Sequence, residues 1–252
     1  MDKIKDKKSK ILIIDLGSQY TEIIRRSLRY LGFHSTILPP AKSLEWLKAN
    51  ETKGIILSGG SASVYDSDAP EIPKEILNFN LPILGVCYGM QWLAYINDKN
   101  AVHKVKEGKS YGPVEISFGK VKSKLFASLK GNLKAWSSHG DSVAFAPKGF
   151  KVVATSKGGK VIEAMECAEK KLYAVQFHPE VEQTEDENII LNNFVAEICK
   201  CKKDYFKKDV IKEIGENTKK ILGGKGVAII GVSGGVDSTT LASILTPVLG
   251  KQ

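Results

Sequence analysis

The chain has 252 residues, a formal charge of +9 and 42% hydrophobic residues, enough for one large domain, or one domain and a piece of another, with an ordinary core. No run of eighteen apolar residues occurs, so no membrane-spanning helix is expected. The lysines are scattered rather than gathered on a recognition helix, so a solvated surface or an anionic small substrate accounts for the charge better than nucleic acid does.

Residues 1–9 are rich in charge, lack the apolar stretch of an export signal, and read as a solvated tail. With no mark of export, Cys87, Cys167, Cys199 and Cys201 are expected as reduced thiols in the cytoplasm. No second Cys or His pair accompanies Cys199 and Cys201, so no metal site is expected. The apolar run 10–16 fits a buried parallel strand. Residues 19–31 have helical spacing, with Ile23, Ile24, Leu28 and Leu31 on one face. A second strand over 33–38 stops at Pro39-Pro40, and a short helix over 43–49 takes Ser43 as its N-cap. A third strand, 54–57, runs into Ser58-Gly59-Gly60. Residues 70–78 read as helix, 81–86 as a fourth strand and 88–96 as helix. This alternation predicts an α/β fold: an open, mostly parallel sheet with helices on both faces.

The middle changes character. Short β-like segments at 114–118, 142–145, 151–155, 161–166 and 172–177, separated by glycine-containing turns, predict a mixed extension of the sheet. Residues 186–199 read as an amphipathic closing helix, and the lysine-rich stretch 202–220 as a linker helix. A new strand is expected at 226–231, a glycine-containing loop at 233–238 and a helix at 239–249. Together these make a truncated second α/β unit. The expected division is thus 1–9 tail, 10–201 first domain, 202–225 linker and 226–252 the start of a second domain.

Three short segments carry chemistry. Gly85-Val86-Cys87-Tyr88-Gly89 lies at a strand-to-helix junction, the cysteine form of a nucleophile elbow. A sharp turn there exposes Cys87, the positive end of the next helix favours thiolate, and the N–H of Tyr88 is free to meet an oxyanion. A buried structural cysteine between two glycines is the competing reading. Val175-Gln176-Phe177-His178-Pro179-Glu180 ends a strand and offers a base, His178, with a carboxylate, Glu180, to orient it. Alone, His178 could be an ordinary loop histidine. Leu57-Ser58-Gly59-Gly60 could present further free N–H groups, or be a plain turn.

Together the three resemble the class I glutamine amidotransferases. The resemblance implies Cys87 as nucleophile on the side-chain amide of glutamine, His178 as base and acid, and Glu180 as third member of the triad. It implies Gly60 and Tyr88 as oxyanion donors. It also implies that Gly59, Gln91, Ser138, His139 and Asp141 bind glutamine, and that no cofactor is needed for hydrolysis. Within that class, Asp15-Leu16-Gly17-Ser18-Gln19-Tyr20, Ser137-Ser138-His139-Gly140-Asp141 and Phe177-His178-Pro179-Glu180-Val181 are similar to the GMP synthase family, over about residues 10–250.

Gly231-Val232-Ser233-Gly234-Gly235-Val236-Asp237-Ser238 resembles that family's ATP pyrophosphatase loop. It lacks the Gly-Lys-Ser/Thr of a Walker loop, but backbone N–H groups and the next helix N-terminus could cradle phosphate in the same way. The resemblance assigns Ser233, Gly234, Gly235, Val236, Asp237, Ser238 and Thr239 to ATP, with Asp237 holding the loop or Mg²⁺. The family's full reaction uses ATP, Mg²⁺ and XMP to make GMP. It also implies the rest of an ATP pyrophosphatase domain and a dimerisation domain, neither of which lies within these residues. The chain departs from the family in having Asn97-Asp98-Lys99-Asn100 where Gly-Gly is usual, and Ser61 where proline is frequent. Another class I amidotransferase, or a regulatory fragment that has kept the fold and lost turnover, are the competing readings.

Overall fold

The computed structural model describes residues 10–104, 110–223 and 226–250; the tail expected over 1–9 lies outside the described residues. The described chain divides into two compact units, the first ending at Asp204 and the second beginning at Tyr205.

The first unit is built on one nine-stranded sheet. Its parallel half is β2 (Ser35–Leu38), β1 (Ile11–Ile14), β3 (Gly54–Leu57) and β4 (Ile83–Val86), in that order. β11 (Leu172–Val175) joins β4 in parallel. From there the sheet turns antiparallel through β10 (Val161–Cys167), β9 (Lys151–Ser156), β6 (Ser110–Phe118) and β7 (Leu133–His139). A two-stranded ribbon pairs β5 (Val102–His103) with β8 (Ser142–Val143). The expected parallel sheet with a mixed extension is therefore the fold.

Why the central strands read as unbroken apolar runs is plain from the layers. All four residues of β1, β3, β4 and β11 are buried, because helices cover both faces. On one side Ile11, Ile13, Ile56, Leu84 and Val175 meet α1 (Thr21–Tyr30) and α4 (Glu187–Asn192). On the other, Leu12, Ile14, Ile55 and Leu57 meet α2 (Pro40–Ala49) and α3 (Tyr88–Asn97).

Three expectations for this unit are corrected, and one strand is added. α2 begins at Pro40, whose missing N–H costs nothing at a first helical position, so Ser43 is interior. Its hydroxyl donates back to the Pro40 carbonyl at 2.6 Å instead of capping. Residues 70–78 form no α-helix; Pro70 and Pro73 withhold donors, and only a 3-10 turn, Lys74–Phe79, results. The closing helix runs as α4 and then changes to a π-helical stretch, Asn193–Ile198. β7 is a strand in a region to which the sequence reading assigned no element.

The second unit contains α5 (Lys207–Leu222) and α6 (Val236–Leu249), which pack so closely that a Cβ on Gly215 would lie 2.8 Å from Val248. The strand expected at 226–231 does not form. No neighbouring strand offers it a ladder among the described residues, and Val227 and Ile229 are 75% and 95% exposed.

Candidate functional site

Three adjacent strands of the sheet deliver the site. β4 ends in Cys87, its neighbour β3 ends in Ser58-Gly59-Gly60, and its other neighbour β11 ends in Gln176-Phe177-His178. Cys87 has φ 51° and ψ −103°, a conformation costly for any residue with a Cβ. It is held by two backbone hydrogen bonds, from its own N–H to the Val175 carbonyl at 2.8 Å and from Gln91 N–H to its carbonyl at 3.1 Å. The flanking glycines are required by contact. A Cβ on Gly85 would meet the Gly89 carbonyl at 2.5 Å, and one on Gly89 would meet the Leu57 oxygen at 2.6 Å. The helix thus lies directly on the strand, and its first N–H, that of Tyr88, has no partner within the helix.

His178 Nδ1 lies 2.8 Å from Glu180 Oε1, and both side chains are buried. The other ring nitrogen is left free of Glu180, and Cys87 lies near enough to the imidazole to favour its charged form. Burial opposes a charge on His178, but neighbouring Cys87 and Glu180 outweigh it and raise the imidazole above its ordinary range. Cys87, His178 and Glu180 are thus arranged as a nucleophile, a base and an orienting carboxylate would be. Tyr20, from the loop after β1, sets its ring edge-on to His178 with centroids 4.8 Å apart. The His178 loop is tied to β7: His178 N–H donates to the Trp136 carbonyl at 2.9 Å, and the buried Thr184 hydroxyl donates to the His178 carbonyl at 2.6 Å. Thr184 also accepts from Trp136 N–H at 3.0 Å.

Gly59 lies under the imidazole, where a Cβ would approach His178 Cε1 to 3.1 Å. Gly60 presses on the Leu16 carbonyl, which a Cβ would meet at 2.6 Å, so neither position has room for a side chain to cover its amide. In front of Cys87 lies a cavity of about 460 Å³, lined among others by Gly60, Gln91, Ser138, His139 and Asp141. Gln91 Nε2 donates to the Asp141 carbonyl at 2.9 Å, and the Ser138 carbonyl is 3.8 Å from Cys87 Sγ. His139 Nδ1 donates to the same Asp141 carbonyl at 2.9 Å, and its other nitrogen is buried without a partner. Burial, only partly offset by that bond, lowers the His139 pKa to about 4, so the ring is neutral. A larger groove of about 730 Å³ between Tyr88, Trp92 and the 66–74 loop is lined by Asp66, Glu71, Lys74 and Asp98 but by no cysteine or histidine.

Each residue expected at the glutamine site is thus brought to one place. Ser233–Thr239 belong to the other unit. There the Ser233 and Ser238 hydroxyls are 3.2 Å apart, Gly235 caps α6, and Asp237 sits in the first helical turn. Sequence reading missed Tyr20, Gln176, Ser63, Tyr65 and Thr184. Gln176, whose Nε2 is 3.7 Å from Cys87 Sγ, was signalled by its place two residues before His178; the others carried no local signal.

The model of the class I glutamine amidotransferase family matches residues 12–198. The chain belongs to that family. Similar members include GMP synthases described as glutamine-hydrolyzing. That of Brachyspira hyodysenteriae is 39% identical over 96% of this chain and 46% of its own length. That of Wolinella succinogenes is 41% identical over 97% of this chain and 47% of its own. The chain therefore spans about half the length of these relatives. A solved structure from Thermoplasma acidophilum, described as a putative GMP synthase subunit, superposes with a TM-score of 0.64. It is 27% identical and covers 84% of this amidotransferase chain and 100% of its own.

Proposed function

We propose that the chain hydrolyses glutamine to glutamate and ammonia, as the amidotransferase part of a GMP synthase. The observation that carries this is the His178–Glu180 pair set against Cys87 on adjacent strand ends. In the proposed reaction Cys87 sulfur attacks the side-chain amide carbon, and the amide N–H groups of Gly60 and Tyr88 receive the developing oxyanion. His178 gives its proton to the departing ammonia, leaving a thioester on Cys87. It then takes a proton from water as the water attacks, and glutamate leaves with the thiolate restored. Glu180 keeps the ring in the tautomer that directs its other nitrogen at sulfur. Gly59, Gln91, Ser138, His139 and Asp141 line or frame the space for the glutamine body.

The assignment extends, on the same footing, to residues 10–201 as amidotransferase domain, 202–225 as linker and 226–252 as the start of an ATP pyrophosphatase domain. Ammonia would then serve the amination of XMP to GMP at a site that needs ATP and Mg²⁺ and further residues. Ser233, Gly234 and Gly235 before α6, with Val236, Asp237, Ser238 and Thr239 in its first turn, would hold phosphate there. No helix among the described residues is long and apolar enough to cross a membrane, and a cytoplasmic setting suits the free thiols and these substrates. The test is glutamate release. Wild-type chain should hydrolyse glutamine and Cys87→Ala should not, with both equally folded. A glutamine-mimicking alkylator should label Cys87 and spare Cys167, Cys199 and Cys201. Even labelling of all four, or no release by the wild type, would reject the assignment.

A further inference from the structure

Gln176 follows β11 directly and precedes His178 by two residues. Its predecessor Val175 accepts the Cys87 amide N–H at 2.8 Å, and its own N–H donates to the Glu163 carbonyl of β10 at 2.8 Å. The main chain here is thus registered to Cys87 on one side and to the sheet on the other. The Gln176 side chain is 0% exposed and does not line the cavity in front of Cys87, so it meets the sulfur from the protein interior.

Which end of the Gln176 amide faces the sulfur is set by a chain of partners. The Asp141 main-chain carbonyl can only accept, so the Gln91 atom 2.9 Å from it is the amide nitrogen. That nitrogen is also 3.5 Å from the Gln176 amide, and a donor there calls for Oε1. Nε2 is then the end left for Cys87 Sγ, 3.7 Å away. Two other groups face the sulfur. His178, backed by Glu180, favours its charged form. The Ser138 carbonyl of β7, 3.8 Å from Sγ, is an acceptor and favours the protonated thiol. The Gln176 N–H opposes that carbonyl. A lysine in its place would have to hold a charge in a fully buried position, whereas an amide supplies the donor without that cost.

We propose that Gln176 is a further catalytic residue whose side-chain N–H donates to the Cys87 sulfur and stabilises the thiolate. Gln91, held by the Asp141 main-chain carbonyl, is the positioning residue that keeps this N–H turned toward the sulfur. The proposal rests on Cys87 as the nucleophile of the reading above. Sulfur carries negative charge before it attacks the amide carbon and again when glutamate leaves, so the donor acts at both ends of the thioester's lifetime.

The experiment follows alkylation of Cys87 by iodoacetamide as a function of pH, read on the Cys87 peptide by mass spectrometry. The probe is small and uncharged, so contacts to glutamine do not enter. Gln176→Met should move the half-maximal pH upward by about 1 unit, the size of one hydrogen bond to a charged group. Gln176→Glu keeps the shape, replaces the donor by an acceptor, and should move it further; it also serves if the methionine variant fails to fold. Gln91→Met should move it in the same direction by less. Adding Gln91→Met to Gln176→Met should move it no further, because the same donor is lost in both. Glutamate release by Gln176→Met should fall about 10-fold in kcat with KM little changed. Unchanged profiles in both Gln176 variants, or fully additive shifts in the double variant, would overturn the proposal. A wild-type chain that releases no glutamate while the profiles shift as expected would remove the glutaminase reading and leave the donor to sulfur established.

Discussion

Cys87 is placed by its neighbours' lack of side chains and by a hydrogen bond from its own amide, so its own side chain contributes little to the turn. The burden of activation falls on His178. Replacing His178 by alanine removes the proton donor and the partner of the sulfur together, and glutamate release should fall by about 10³-fold or more. Glu180→Ala leaves the imidazole in place with its orientation loosened and should cost less; steady-state rates of the two variants check the order. His139 offers a second test at the same scale, through pH. Its pKa is depressed to about 4, chiefly by burial, from the ordinary histidine value of 6.5. Between those values the unfolded chain binds a proton that the folded chain refuses, so stability rises with pH across that window. Its contribution is fully present above about pH 6.5 and is lost as pH falls toward 4, by at most about 3 kcal/mol. Denaturant midpoints measured from pH 7 to pH 4 should fall less steeply in His139→Gln than in the parent chain.

At the level of elements, β7 decides how firmly the base is held. Thr184 links the Trp136 amide to the His178 carbonyl, and Thr184→Val keeps the shape while leaving both groups unpaired in a buried place. We expect a loss of about 1–3 kcal/mol in stability and a drop in kcat with KM little changed, read from thermal melts and steady-state rates. β7 is also where sequence reading was weakest. Its inward positions are Leu133, Ala135, Ser137 and His139, so the apolar alternation that betrays a strand fades just as the chain nears the cavity. The parallel strands were legible because both faces are apolar, and Cys87, His178 and Glu180 because glycine, proline and chain position mark them. Ser63 and Tyr65 were not legible, since their only distinction is a contact with Asp141 more than seventy residues away. The helix expected at 70–78 failed for an opposite reason: its apolar spacing was adequate, but Pro70 and Pro73 denied it donors.

For the whole molecule, the two units differ in how much apolar surface they keep from water. The first encloses two clusters on either side of its sheet. In the second, Val227, Ile229, Val232 and Val236 are exposed, and the loop proposed to hold phosphate leads into α6. A loop that binds nucleotide tightly needs its amides held in advance. Calorimetry on this 252-residue chain should therefore show ATP affinity weaker than micromolar, and glutamine hydrolysis should not respond to XMP with ATP. Strong stimulation would overturn this expectation.

Gly59 and Gly60, Cys87 and His178, the proposed oxyanion glycines, nucleophile and base, stand at the ends of three neighbouring strands. The sheet consequently acts as a ruler whose graduations are the roughly 4.8 Å steps of its hydrogen-bond ladder. Such a scale is written in the main chain, and side chains beneath it can be exchanged without moving the marks. Core variants such as Ile13→Val or Leu84→Met should erode melting temperature while the rate per folded molecule stays level. Calibration of the reacting distance is thereby insulated from drift in the packing that supports it.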